Sequence, residues 1–130
     1  MRDELIAQLN AWHEEDEYQQ IVDRIKEVPT ILIDDELAVH LGRALNNLGR
    51  YEEALKWFKK IAEQSKEDPL WHFRVGYAYY YLDRLDEAIK AFEMAHKLDP
   101  EDEDTLTFLE WSRNEAASAP AVASAEDSDS

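Results

Sequence analysis

Leu48-Gly49-Arg50-Tyr51-Glu52-Glu53-Ala54-Leu55-Lys56 returns 34 residues later as Leu82-Asp83-Arg84-Leu85-Asp86-Glu87-Ala88-Ile89-Lys90. The match extends to both sides. Leu41-Gly42 returns as Val75-Gly76, Ala44 as Ala78 and Phe58 as Phe92. Self-similarity at a fixed period of this length means consecutive copies of one supersecondary unit, none of which can bury its apolar face alone.

The apolar spacing says what the unit is. Leu37, Ala38, Leu41, Ala44, Leu45 and Leu48 recur every three or four residues, which paints one face of a helix. Asp34 or Asp35 can cap its start, and Gly49 supplies the positive φ at which helices commonly stop. Tyr51, Ala54, Leu55, Phe58, Ile61 and Ala62 form the inward face of a second helix. So short a turn makes the two antiparallel. Asp68-Pro69 starts the next pair, with Val75, Gly76, Ala78, Tyr79 and Leu82 on one helix. Leu85, Ala88, Ile89, Phe92, Ala95 and Leu98 lie on its partner. Glu52 to Lys56, Asp86 to Lys90 and Glu93 to Lys97 are acid-before-base pairs four apart.

A worn first copy precedes these. Leu5, Leu9 and Trp12 mark one helix, and Tyr18, Ile21, Val22, Ile25 and Val28 a second, aligned with the later ones at a shift of 33. Thr30-Ile31-Leu32-Ile33 is expected to be an extended linker pinned to the core. After Pro100, Leu106, Phe108, Leu109 and Trp111 mark a last single helix whose acidic start suits the helix dipole.

The expected fold is therefore all-α: a right-handed superhelix, or α-solenoid, of about three antiparallel hairpins plus a C-terminal capping helix. The repeats fall at 4–29 (degenerate), 35–68 and 69–102, the capping helix at 103–115. Residues 116–130, which are Ala, Ser, Asp, Glu, Val and one Pro, form a disordered acidic tail.

The two central copies resemble tetratricopeptide repeats, of the small bacterial type. Val75-Gly76, Tyr79, Ala88, Phe92 and Pro100 follow that repeat's signature, and Leu41-Gly42, Leu45, Ala54 and Phe58 follow it in the copy before. His72 and Ala38 stand where the signature has Trp, and Lys66 where it has Pro. Gly42, Gly76, Ala54 and Ala88 are expected where helices cross closely, with Phe58 and Phe92 filling the gap between neighbouring hairpins. The resemblance implies a concave groove lined by the first helix of each hairpin. Its residues would be His40, Arg43 and Asn47, then Phe73, Arg74, Tyr77, Tyr80 and Tyr81, then Phe108 and Trp111. Val39, Asn46, Thr107, Asn10 and His13 lie beside them. Arg43 and Arg74 suit a bidentate grip on a carboxylate, and the aromatics suit an apolar side chain. The two-carboxylate clamp that some family members use is not reproduced, because Val39, Arg43 and Arg74 stand at its Lys and Asn places.

The implied function is a protein–protein interaction module, an adaptor or scaffold that binds an acidic or C-terminal peptide. The alternatives are an assembly subunit docking through the ends of the stack, and a small acidic inhibitor of a basic protein. A net charge of −16, from 14 Lys and Arg against 30 Asp and Glu, opposes nucleic-acid and anionic-membrane partners. With no Cys, no Gly-rich phosphate loop and no His-Glu-x-x-His, neither enzyme nor metal nor cofactor is expected. The start lacks a signal-peptide stretch, so the expectation is a cytoplasmic protein, monomeric with self-association open.

Overall fold

The computed structural model describes the backbone of residues 2–129 and the side chains of residues 2–118. Among the described residues every regular element is helical. The chain divides into two compact units, Met1–Gln64 and Ser65–Ser130.

The first unit holds α1 (Arg2–Glu14), α2 (Tyr18–Lys26), α3 (Asp35–Asn47) and α4 (Tyr51–Lys60), with the short α5 (Ala62–Ser65) at its boundary. Asp34, not Asp35, caps α3: its carboxylate accepts from the Leu37 amide at 3.0 Å. Burial raises the Asp34 carboxyl's affinity for a proton. That amide and Arg2, 2.6 Å away, outweigh it and hold the pKa below the ordinary carboxylate value. Leu9, Ile21, Val22, Ile25, Leu37, Leu41, Leu45, Leu55 and Phe58 form the core, each nearly free of solvent contact. Full burial of one such side chain stabilises by roughly 1.5–3 kcal/mol.

The second unit holds α6 (Pro69–Tyr81), α7 (Leu85–Leu98) and α8 (Glu103–Asp129). Asp68 caps α6 through the Leu70 amide at 2.9 Å, and Pro69 takes the first helical position. Val75, Ala78, Ala88, Phe92, Ala95 and Leu109 are buried at its centre. Ser112, fully buried on α8, donates back to the Phe108 carbonyl at 2.7 Å.

One turn is built three times. Asp16, Gly49 and Asp83 adopt φ of 59°, 78° and 62°. The amides that follow them, of Glu17, Arg50 and Arg84, reach back to the carbonyls of Trp12, Leu45 and Tyr79 at 2.8, 2.8 and 2.9 Å. This six-to-one bond after a left-handed residue is the Schellman closure of a helix. A side-chain bracket three residues long starts each following helix: Gln20 to Glu17, Arg50 to Glu53 and Arg84 to Glu87, the last two bidentate. The worn first copy thus keeps the turn and the bracket with other residues.

One expectation changes. Thr30–Leu32 is a turn of 3-10 helix, not an extended linker, and it is not pinned down: Ile31 is 91% and Leu32 64% exposed. Pro29 precedes it and the Leu32 and Ile33 amides close it locally, so the backbone is satisfied without the core. Phe58 lies over Gly42 and Phe92 over Gly76, each so close that a Cβ at the glycine would force the ring to move. Phe92 also stacks on Phe108 of α8, beyond its own hairpin. The expected tail, 116–130, falls mostly on residues whose side chains lie outside those described.

Candidate functional site

In the first unit the expected groove residues divide by burial. His40 is 6% exposed and Asn46 5%, so both belong to the interior. The His40 ring stacks on His13 with centroids 5.2 Å apart, and its Nδ1 lies 3.0 Å from His13 Nε2. This is a packing contact of α1 with α3, which removes His40 from the accessible surface. Asn47 is exposed but turns its amide onto the Arg43 carbonyl at 2.9 Å. Arg43 is half-buried, and burial pushes its guanidinium pKa down, with only the Tyr18 hydroxyl opposing. Among the described residues no carboxylate pairs with it.

In the second unit the expected aromatics do come together, around Phe108 on α8. The Phe108 ring lies 5.6 Å from Phe73, 5.6 Å from Tyr77, 5.5 Å from Tyr80, 6.3 Å from Tyr81 and 5.1 Å from Trp111, centroid to centroid. Below, it stacks on the core ring of Phe92 at 5.6 Å and 28°. The cause is helical spacing. Phe73, Tyr77 and Tyr80-Tyr81 fall on one face of α6, and Phe108 and Trp111, three apart, on the face of α8 that meets it. The inner rings anchor the cluster, while its edge stays open: Tyr81 is 46% and Trp111 47% exposed. Arg74 is half-buried on α6 and makes its own contacts.

Beside this cluster an open cleft of about 380 Å3 is lined by Tyr80, Trp111, Asn114 and Glu115. The Tyr80 hydroxyl donates to the Glu115 carboxylate, which pushes the tyrosine pKa up to about 12, so the hydroxyl stays a donor at any neutral pH. Asn114 and Glu115 were not among the residues expected from sequence. The signal was present: they follow Trp111 by three and four positions, the spacing that shares a helix face. Thr107 and Asn10, expected at the margin, are exposed.

Among the described residues no group of three His, Asp or Glu side chains could hold a metal ion. None of the helices there is long and apolar enough to cross a membrane.

Comparison with known proteins bears on the family and the fold. Family models described as tetratricopeptide repeat match residues 36–68 and 69–102. The RNA polymerase-associated protein CTR9 of Caenorhabditis elegans is 30% identical over 75 residues, 57% of this chain but only 6% of that protein's length. Among solved structures, the first TPR domain of human RPAP3 superposes with a TM-score of 0.77 at 19% identity, covering 88% of this chain and 91% of that one. PcrH, a protein from Pseudomonas aeruginosa, in complex with the chaperone binding region of PopB gives 0.66 at 18%, covering 86% and 91%. The likeness therefore spans eukaryotes and bacteria and does not single out a bacterial type. At these identities it shows the all-helical fold.

Proposed function

Because the chain belongs to the tetratricopeptide repeat family, whose members typically bind proteins and carry no catalytic activity, we propose that it holds a peptide segment of a partner protein against the α6–α8 face of its second unit. One observation carries this: a ring cluster anchored by Phe92 and Phe108 leaves Tyr81 and Trp111, each packed against Phe108, half-exposed. Rigid aromatics with an open face are the usual anchors of an interface, since they bury much area for little lost side-chain entropy. The solved complex of PcrH with a segment of PopB is consistent with such a role for the fold.

Arg43 favours a second feature of the ligand, an acidic side chain or C-terminal carboxylate. A half-buried guanidinium without a carboxylate has lost water and gained no ion pair, and an arriving carboxylate would supply one in bidentate geometry.

Peptide-display selection on the immobilised full chain, followed by calorimetry of the enriched peptides, tests both features. Tyr81→Ala with Trp111→Ala should weaken every selected peptide by about tenfold or more, the scale of an anchor residue. Undiminished binding to that variant would place the site elsewhere. Arg43→Glu should weaken only peptides that carry a carboxylate, and an equal loss for neutral peptides would remove the anionic feature.

A further inference from the structure

The cleft next to the ring cluster has a chemistry opposite to that of Arg43. We infer that the space between Tyr80, Trp111, Asn114 and Glu115 is a binding subsite for a cationic side chain, a lysine or arginine of the partner segment. This rests on the α6–α8 face being the binding surface and is independent of Arg43.

Two walls of the cleft are aromatic. The Tyr80 and Trp111 rings stand 6.5 Å apart and tilted by 35°, an open wedge. A cation seated in it lies within cation–π reach of both faces while its methylene stem rests on the rings. The remaining lining is polar and accepts hydrogen bonds. Glu115 brings a full negative charge, and Asn114 brings an amide oxygen. Among the described residues Glu115 has no cationic partner; its contact is the neutral Tyr80 hydroxyl. Arg113, the neighbouring cation on α8, is already held by Glu93 at 2.9 Å.

The other ligand classes fit less well. An anion would face Glu115 at close range. An uncharged apolar side chain would strip water from Glu115 and Asn114 and give them nothing to pair with. The net charge of −16 draws basic segments toward the molecule at long range. With an aromatic wedge, a carboxylate that among the described residues has no cationic partner, and an acidic field together, the cleft selects for positive charge.

The test uses the full chain, labelled with 15N, and two probes of matched shape. N-acetyl-arginine amide carries the guanidinium, and N-acetyl-citrulline amide replaces it with a neutral urea. The arginine probe should shift the Trp111 indole N–H and Asn114 side-chain signals in a saturable way, with the citrulline probe about fivefold weaker or more, the scale of a cation–π contact plus a part-exposed ion pair. Glu115→Gln should reduce that preference, leaving the share owed to the rings, with the helical spectrum intact. Equal response to both probes, no response to either, or an unchanged preference in Glu115→Gln would each overturn the subsite. The wider reading is judged separately. If selected peptides bind in a Trp111-dependent way while the probes fail to discriminate, the α6–α8 face stands and the cationic subsite falls. If neither peptides nor probes bind, both fall.

Discussion

At the scale of single residues, Gly42 and Gly76 are the positions where the fold has least tolerance. A Cβ on Gly42 would come to 2.6 Å from two ring atoms of Phe58, and one on Gly76 to 2.8 Å from Phe92. Neither ring has room to retreat, since both are fully buried. Alanine is the better helix former by about 1 kcal/mol, but overpacking a tight core costs about 1–3 kcal/mol and should win. Gly42→Ala and Gly76→Ala are therefore expected to lower the melting temperature, by roughly 4–8 °C per kcal/mol in a domain of this size class. Thermal denaturation followed by circular dichroism checks this, and a raised melting temperature would mean that the rings yield. The two substitutions should differ in one respect. Phe92 stacks on Phe108, so a displaced Phe92 disturbs the ring cluster, and Gly76→Ala should weaken peptide capture where Gly42→Ala does not.

At the scale of elements, the first hairpin matters more than its faint signature suggests. Leu9 from α1 and Ile21, Val22 and Ile25 from α2 are buried in the same unit as Leu37, Leu41 and Leu45 of α3, and α2 packs against both α1 and α3. Removing residues 2–29 would expose that face, so the truncated chain is expected to lose helicity beyond the deleted residues and to melt without cooperativity. A sharp transition with the remaining helices intact would count against this. The hairpins themselves were legible because three- and four-residue apolar spacing has one structural meaning. The linker was not. Thr30-Ile31-Leu32-Ile33 has the composition of a buried strand, yet Pro29 and local amide bonds fold it as an exposed 3-10 turn. His40 was misplaced for a related reason: its helix position points toward a groove only if nothing stands in front, and His13 does. The aromatic face was legible residue by residue. The cleft beside it was not, because it depends on where Glu115 turns its carboxylate, which spacing alone does not reveal.

At the scale of the whole molecule, charge is the governing quantity. With 30 Asp and Glu against 14 Lys and Arg, an excess of sixteen negative charges repels itself across a small protein even with every cation counted, including those in ion pairs such as Arg2 with Asp34 and Arg113 with Glu93. Self-repulsion of this kind is screened once the Debye length falls from about 30 Å at 0.01 M salt to about 8 Å at physiological strength. The melting temperature should accordingly rise with added sodium chloride over this range, while capture of basic peptides should weaken. Scanning calorimetry across a salt series measures the first effect and calorimetric titration the second; a melting temperature that falls with salt would show that attractive pairs dominate. The thrice-built turn has its own consequence at this scale. Because the chain leaves Asp16, Gly49 and Asp83 with the same left-handed twist, the same amide closure and the same three-residue bracket, those points are splice sites. A second copy of residues 50–83, grafted after Asp83, would begin and end in geometry the molecule already uses, so the chain can be lengthened by one repeat period without redesigning a single turn.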